Sequence, residues 1–300
     1  MRRRGAALAT LLLAPAVAAA QSMEPRAYSN LPLGLNVLLV GYGYSEGALG
    51  FDTSAPLQDG NARVHSLPLG YVRPLDVFGH AGSVALVLPL VDMTATASLN
   101  GTTEARREVS GLADPVLRLA FNFYGAPALS PVEFARYRQD LIVGASLVVT
   151  APLGQYDNTR LANIGSNRWS VKPELGLSQA LGPWTVELAG GATFFSRNDE
   201  FFNGNVREQD PIYSAQVHVT RDFGRGLWGA VSTTYYEGGR TTLNGAPGED
   251  RLAGWRTALT LSLPLNWQNS IKLSASSGLY ARTGSDFNSV GVAWQHIWRD

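Results

Sequence analysis

Polar and apolar residues alternate over long stretches of the chain. Between Trp184 and Phe194 every second residue is apolar or glycine, and the residues between them are small or polar and include Glu187. Successive side chains of a β-strand point to opposite faces, so this pattern predicts a strand with one apolar and one polar face. Twelve segments of about ten residues alternate in this way, a length that suits a tilted strand crossing a membrane. The clearest are 115–123, 141–149, 169–178, 184–194, 213–220, 257–263 and 271–276.

The connections between these segments alternate in length. Short turns such as "QALGP" and "DFGRG" alternate along the chain with long polar loops such as "SRNDEFFNGNVREQD" and "EGGRTTLNGAPGED". Outer-membrane barrels have short periplasmic turns and long outer loops, whereas a soluble β-sandwich has no reason to sort its loops. The sequence therefore predicts an all-β fold, a transmembrane antiparallel up-and-down β-barrel of about twelve strands over residues 35–298, in a bacterial outer membrane. Asn203 and Asn244 would lie outside, and His80 and Gly182 in periplasmic turns.

One connection carries helical signals. In "ALSPVEFARYRQD", Ser130 suits the N-cap position, Pro131 the first helical position and Glu133 the third position of a capping box. We predict one short helix here, on the periplasmic side of the barrel, with a plain loop as the alternative.

Residues 1–20 have the three parts of a secretory signal. Three arginines at 2–4 precede an apolar run from Ala6 to Val17, and small residues follow as far as Ala20. The apolar run is too short for a membrane span. We therefore expect export and cleavage after Ala20, with residues 21–34 forming an N-terminal periplasmic segment.

The chain ends in "SVGVAWQHIWRD". Val290, Val292, Trp294 and Trp298 alternate there with small and polar residues, which predicts a last strand whose apolar face meets lipid. Outer-membrane proteins commonly end in a strand with a terminal aromatic residue, so Trp294 and Trp298 are predicted to form the signal read by the barrel assembly machinery. His296 interrupts the apolar set and is a departure from that pattern, as are the two residues after Trp298.

Composition narrows the possible partners. The chain has 24 basic and 24 acidic residues, and loss of the three signal arginines leaves 21 against 24, a net charge of −3. This balance gives no reason to expect a nucleic-acid partner. Cysteine is absent, so stability must come without disulfides. The four histidines lie far apart, and we predict neither a metal site nor a cofactor. The expected partners are outer-membrane lipids, the assembly machinery and small solutes.

Several segments resemble one known family. "SGLADPVLRLAFNFYGAPAL", "IVGASLVVTAPLGQYD" and "NIGSNRWSVKPELGLSQALGPWTVELAGGATFF" look like the outer-membrane transporters associated with the meta-cleavage pathway of phenol degradation. The resemblance runs from about Leu112 to Trp298. It implies a transmembrane β-barrel that passes small apolar or aromatic molecules. It brings no set of catalytic or ligand-binding residues that could be assigned to positions in this chain.

Charged residues fall on the face opposite the apolar one and are therefore predicted to line the lumen. These candidates are Arg118, Lys172, Glu174, Glu187 and Lys272. Across the turn "QALGP", Glu174 and Glu187 are expected to be diagonal cross-strand neighbours. The group could be a salt-bridge network that fills a narrow barrel, or it could set the selectivity of a channel.

Two other features bear on function. Phe201 and Phe202 fall in a predicted outer loop, where they would either pack within the loop or receive an apolar solute. An outer-membrane hydrolase is the enzymatic alternative, but no "GxSxG" elbow is present and no catalytic residue is predicted, although His218 has serines near it in sequence. A passive channel for small apolar or aromatic molecules is the favoured function, and a structural barrel without transport is the second hypothesis.

Overall fold

A computed structural model describes residues 24–48, 57–99, 103–281 and 286–300. The predicted signal at 1–20 lies outside them. Within the described residues there are seventeen strands and one helix: β1 (Leu35–Ala48), β2 (Leu57–Val77), β3 (His80–Leu99), β4 (Thr103–Leu112), β5 (Val116–Tyr124), α1 (Pro131–Phe134), β6 (Leu141–Thr150), β7 (Ser170–Leu181), β8 (Trp184–Phe195), β9 (Asn198–Phe201), β10 (Asn205–Gln209), β11 (Ile212–Gly224), β12 (Leu227–Gly238), β13 (Thr241–Leu243), β14 (Ala246–Pro247), β15 (Leu252–Pro264), β16 (Asn269–Ala281) and β17 (Asp286–Arg299). No helix among them is long and apolar enough to cross a membrane.

The main sheet closes on itself as a twelve-position antiparallel barrel. The last strand, β17, pairs with β1 from Leu35 opposite Arg299 to Ala48 opposite Asp286. Thirteen strands of the described chain fill the twelve positions because β4 and β5 share one flank of β3, with β4 along its outer part and β5 along its periplasmic part. The predicted fold class and strand number are therefore confirmed.

The break between β4 and β5 falls at residues 113–115. Pro115 has no N–H to donate to a neighbouring strand. The amide of Ala113 instead donates to the carbonyl of Pro89 at 2.8 Å, and the Asp114 carboxylate accepts from the amides of Gly154 and Ser166. Asp114 thus holds the long outer loop between β6 and β7 against the barrel wall.

The outward face of the barrel is apolar and carries aromatic residues near both ends. Trp169, Phe194, Tyr213 and Trp255 lie near the outer ends of their strands, and Trp184, Phe223, Trp267 and Trp294 lie near the periplasmic ends. Aromatic belts of this kind mark the two membrane–water interfaces. The outward face is therefore the lipid-facing surface.

The predicted last strand closes the barrel and has the predicted facing. Val290, Val292 and Trp294 are 57%, 41% and 38% exposed, whereas Ile297 on the other face is buried. Trp298 lies 6.3 Å from Tyr71, measured between ring centroids. The role of Trp294 and Trp298 in assembly stays a prediction.

The predicted helix is present as the single turn α1. Ser130 caps it, since its hydroxyl accepts from the Glu133 amide at 3.4 Å while the Glu133 carboxylate accepts from the Ser130 amide at 2.9 Å. The Ser130 hydroxyl and amide lower the pKa of the exposed Glu133 carboxyl because both donate to its charged form.

The turns follow the predicted division into short and long connections. Gly182, in the two-residue turn between β7 and β8, has φ 63°. In the outer loops Asn203 and Asn244 adopt φ 60° and 50°, a left-handed conformation that asparagine tolerates. These outer loops build a second sheet of four short strands in the order β14, β13, β10 and β9.

Candidate functional site

The five charged candidates all lie on the inner face of the barrel. Arg118 is on β5, Lys172 and Glu174 on β7, Glu187 on β8 and Lys272 on β16, and none of their side chains is more than 9% exposed. Lys172 forms an ion pair with Glu174, with 2.7 Å between Nζ and Oε2. The inner face therefore carries buried charge at the level where lipid surrounds the barrel.

The predicted contact between Glu174 and Glu187 is wrong. Glu174 lies opposite Gly191, and Glu187 lies opposite Ser178, so the two carboxylates are four positions apart along the hairpin. The reason is the turn, which pairs Leu181 with Trp184 and so fixes every later pair. Each carboxylate has its own partners instead of repelling the other.

The segment before β1 lies inside the barrel. The sequence interpretation placed residues 21–34 in the periplasm, but residues 24–34 make contacts on inner-wall strands at several positions around the barrel. The amide of Arg26 donates to Glu187 at 2.5 Å, and the Tyr28 hydroxyl donates to Glu174 at 2.9 Å. Leu31 is 5% exposed and belongs to an apolar cluster with β1 and β2. We call residues 24–34 the lumenal segment.

Cationic side chains also contact aromatic rings where the lumenal segment meets the wall. The Arg118 guanidinium lies 5.5 Å from the Tyr28 ring centroid, and the Arg26 guanidinium lies 5.3 Å from that of Trp228. Lys272 lies 5.8 Å from the same Trp228 ring and has an electrostatic interaction with Glu24. Predicted lumen residues on four strands, β5, β7, β8 and β16, are thus engaged by the lumenal segment.

Two glycines make room for Tyr28. Gly144 and Gly176 are directly paired on β6 and β7. A Cβ atom built on Gly176 would lie 2.1 Å from the Tyr28 ring, and one built on Gly144 would lie 3.0 Å from it. The three atoms nearest to a Cβ at 176 all belong to the Tyr28 ring, so a larger residue there would collide with it. The recess for the lumenal segment therefore depends mainly on Gly176, since a Cβ on Gly144 would also lie 2.3 Å from the Asn122 side-chain oxygen.

The inner surface has two unlike halves. On β1, β2, β3 and β17 the buried inward residues are mainly apolar, and we call this side the apolar wall. Its clusters contain Leu35, Val37, Leu39, Val72, Ala85 and Ile297 toward the periplasmic end, and Ala62, Val64, Val91, Met93, Ala95 and Phe287 toward the outer end. Ala162 and Ile164, from the loop between β6 and β7, pack on the outer cluster.

The other half, from β5 through β16, is mainly polar, and we call it the polar wall. Its buried inward residues include Asn122, Ser146, Thr150, Ser178, Thr193, Ser214, Gln216, His218, Thr220, Ser232, Thr234, Arg256, Thr260 and Ser262 in addition to the charged candidates. Among the described residues, five of these hydroxyls have no hydrogen-bond partner: those of Thr150, Thr193, Ser214, Thr220 and Thr234. This wall therefore has unused hydrogen-bonding capacity that faces the interior.

His218 is paired with a serine but not in a catalytic arrangement. Its Nδ1 lies 2.8 Å from the Ser232 hydroxyl, and both residues are buried in the polar wall. No side chain in the described ranges is hydrogen-bonded to its other ring nitrogen, whereas a hydrolytic triad needs an orienting group there. In the same part of the chain no three His, Asp or Glu side chains converge as metal ligands.

Phe201 and Phe202 lie in the outer loops. Phe201 ends β9, and the Arg207 guanidinium of the adjacent β10 lies 5.0 Å from its ring centroid. Both phenylalanines are half-buried. The ring contact of Phe201 favours packing within the loop, and the capture of an apolar solute by either phenylalanine stays a prediction.

Sequence reasoning missed two parts of the interior. The lumenal segment has no periodic pattern, although the tyrosine in "EPRAYSNLPLG" was a signal that part of it is buried. Arg168, which precedes the interfacial Trp169, stacks on Phe195, with 4.4 Å between its guanidinium and the ring centroid. The alternation in β8 places Phe195 on the inner face, and this could have indicated a contact between Phe195 and Arg168.

Comparison with known proteins agrees with this architecture. The profile of the family described as "Putative MetA-pathway of phenol degradation" matches residues 49–294. The chain belongs to this family. A comparison with curated proteins gave no significant match.

Solved structures with the same fold are outer-membrane barrels. The chain is similar to the COG4313 outer membrane channel from Pseudomonas putida F1, with 21% identity, a TM-score of 0.78, and coverage of 92% of this chain and 100% of that one. It is also similar to the β domain of the Bordetella autotransporter BrkA, with 9% identity, a TM-score of 0.52, and coverage of 88% and 99%. The family member is thus an outer-membrane-type β-barrel.

Proposed function

We propose that this protein is a passive outer-membrane channel for small apolar or aromatic molecules. The observation that carries the proposal is the two-sided interior, in which an apolar wall faces a polar wall with unpartnered hydroxyls. A barrel that served only as a scaffold would gain most from an interior whose polar groups are all hydrogen-bonded, because unpartnered buried groups cost free energy. The family description, which names a phenol-degradation pathway, supports aromatic solutes.

The lumenal segment must affect passage. It crosses between the walls, with Tyr28 bonded to the polar wall and Leu31 in the apolar cluster. Solute would either pass beside this segment or displace it. The segment is held by hydrogen bonds, ring contacts and the apolar packing of Leu31, but it pairs with no strand, so its displacement would cost less than opening the hydrogen-bonded barrel.

Uptake by purified protein in liposomes tests the proposal. We expect a variant lacking residues 24–33 to conduct arabinose faster than the full chain. A matched variant, Val132→Ser on the exposed face of α1, should behave as the full chain does.

Small aromatic solutes cross a phospholipid bilayer without a channel, so their uptake has to be tested in a membrane that they cross slowly. In cells with a lipopolysaccharide outer leaflet and no other porins, the full chain should speed uptake of benzyl alcohol more than that of arabinose. If neither the full chain nor the shortened variant admits any solute, the protein is a structural barrel.

A further inference from the structure

Arg168 lies at the outer mouth with its charge facing the interior. It directly precedes β7, and its guanidinium stacks on Phe195, an inward residue at the outer end of β8. Its Nη2 donates to the side-chain carbonyl of Gln209, and Nε2 of the same Gln209 amide donates to the carbonyl of Gly239 at 2.7 Å. These contacts fix the plane of the guanidinium without neutralising it.

No carboxylate among the described residues forms an ion pair with this guanidinium. Within the described residues, Arg168 has no carboxylate within ion-pair distance, and its Nη1 is buried without a hydrogen-bond partner. Asp114 is the carboxylate with an electrostatic effect on it, but both Asp114 oxygens already accept from Gly154 and Ser166. A buried guanidinium with free donors is costly unless an anion binds it.

A second cation adds to the positive potential. The pKa of Arg168 is lowered to about 9, mainly by burial and also by the nearby charge of Arg207, against the opposing effects of Asp114 and Tyr156. Both guanidiniums lie on phenylalanine rings, Arg168 on Phe195 and Arg207 on Phe201. Positive charge and aromatic surface therefore coincide at this position.

Positive charge also lies beside apolar surface on the inner wall below the outer mouth. Arg256, on the inner face of β15, donates to the carbonyl of Phe287 at 2.9 Å, and Phe287 belongs to the outer cluster of the apolar wall. The buried inner-wall charges on the described strands include four cations and two anions: Arg118, Lys172, Arg256 and Lys272 against Glu174 and Glu187. The interior thus favours negative charge beside apolar surface.

We propose that Arg168, stacked on Phe195 and held by Gln209, forms an oxyanion-binding site at the outer mouth for amphipathic solutes that carry one carboxylate on an apolar or aromatic body. The guanidinium fork would accept the carboxylate, and Phe195 with the apolar wall would contact the body. The site deepens the proposed channel function and rests on it for its biological use, although binding itself can be measured without transport.

Binding is tested with permanently charged aromatic ions on the full-length protein in detergent. Benzenesulfonate and phenyltrimethylammonium share a phenyl body and differ in the sign of the charge. A ligand that binds only the folded state raises the unfolding temperature in a concentration-dependent way. We expect benzenesulfonate to stabilise the protein more strongly than phenyltrimethylammonium, and more strongly than methanesulfonate, which lacks the aromatic body.

Variants assign the effect to this arginine. Arg168→Gln should weaken benzenesulfonate binding about tenfold, as expected when one charge-assisted hydrogen bond is lost. The matched control is Arg197→Gln, which removes an exposed arginine already paired with Asp199 in the same outer region and should leave affinity unchanged. Arg168→Lys keeps the charge but loses the fork, and it should bind with intermediate affinity.

Equal stabilisation by the two aromatic ions, or unchanged affinity in Arg168→Gln, would overturn the site. If Arg168→Gln does not fold, the wild-type preference for the anion and the reduced affinity of Arg168→Lys decide the matter. Uptake of both ions into liposomes separates the two proposals. Preferential binding without passage of any solute would leave the site in place and refute the channel, whereas passage without preference would do the reverse.

Discussion

The buried side chains of the apolar wall and those of the polar wall are held by different interactions. On the apolar wall, residues such as Val72 and Met93 are buried against other apolar side chains, so the contacts themselves stabilise the barrel. On the polar wall, the Lys172–Glu174 pair and the Glu187 carboxylate need specific partners, and several hydroxyls have none among the described residues. The first wall is therefore mainly a packed apolar surface, although Gln295 on β17 is buried there with both side-chain amide atoms unpartnered, and the second wall holds most of the unpartnered hydroxyls.

The largest effect is expected from breaking the buried ion pair of the polar wall. Lys172→Met leaves the Glu174 carboxylate without its cation, which should lower the free energy of unfolding by about 3 kcal/mol. Urea unfolding of the protein in lipid vesicles measures this. The double variant Lys172→Met with Glu174→Gln should recover most of the loss. A single variant as stable as the wild type would show that the pair is hydrated and not structural.

A smaller loss is expected on the apolar wall. Met93→Ala removes a side chain that is 6% exposed, and the cavity should cost about 2 kcal/mol. Asp92→Ala, at the adjacent exposed position on the opposite face of β3, is the matched control and should change stability little. Equal losses in the two variants would mean that the outer part of this wall is not a packed cluster.

The lumenal segment contacts both walls, and a single substitution can displace it without disrupting the packing of either wall. Gly176→Ala places a methyl group in the Tyr28 ring, so the ring must leave its recess while the barrel stays folded. We expect faster arabinose uptake and a stability loss of about 2 kcal/mol, because the displaced ring gives up part of its burial as well as one hydrogen bond. Gly190→Ala on β8, whose new methyl would meet only one atom at 3.9 Å, serves as the control. Unaltered uptake would show that Tyr28 does not limit passage.

The smallest effect on stability should come from an unpartnered hydroxyl of the polar wall. Thr234→Val removes a buried hydroxyl that has no described partner, so the free energy of unfolding should stay the same or rise by less than about 1 kcal/mol. Ser232→Ala removes a hydroxyl that is 2.8 Å from His218 and should cost about 1 kcal/mol. A clear loss in Thr234→Val would indicate a structural role for that hydroxyl and weaken the contrast between the walls.

Local patterns in the sequence were sufficient for the barrel itself. Alternation from Trp184 to Phe194 fixes which residues face outward, because each strand side chain has only two directions available. The capping residues Ser130 and Glu133 likewise act within one turn of the chain, and the predicted helix is present. The register between Glu174 and Glu187 was wrong because it depends on which residues form the two-residue turn, and the alternation is compatible with more than one turn position.

The sequence by itself determined the strand faces, the division into short and long connections, the single helix and the inward position of the five charged residues, since each of these follows from neighbours along the chain. Only the tertiary structure decided that residues 24–34 lie in the lumen, that Gly144 and Gly176 form a recess for Tyr28, and that Arg168 stacks on Phe195. These contacts join residues that are distant in sequence and have no shared period. They exist only because closure of the barrel brings β5, β7 and β8 around one interior.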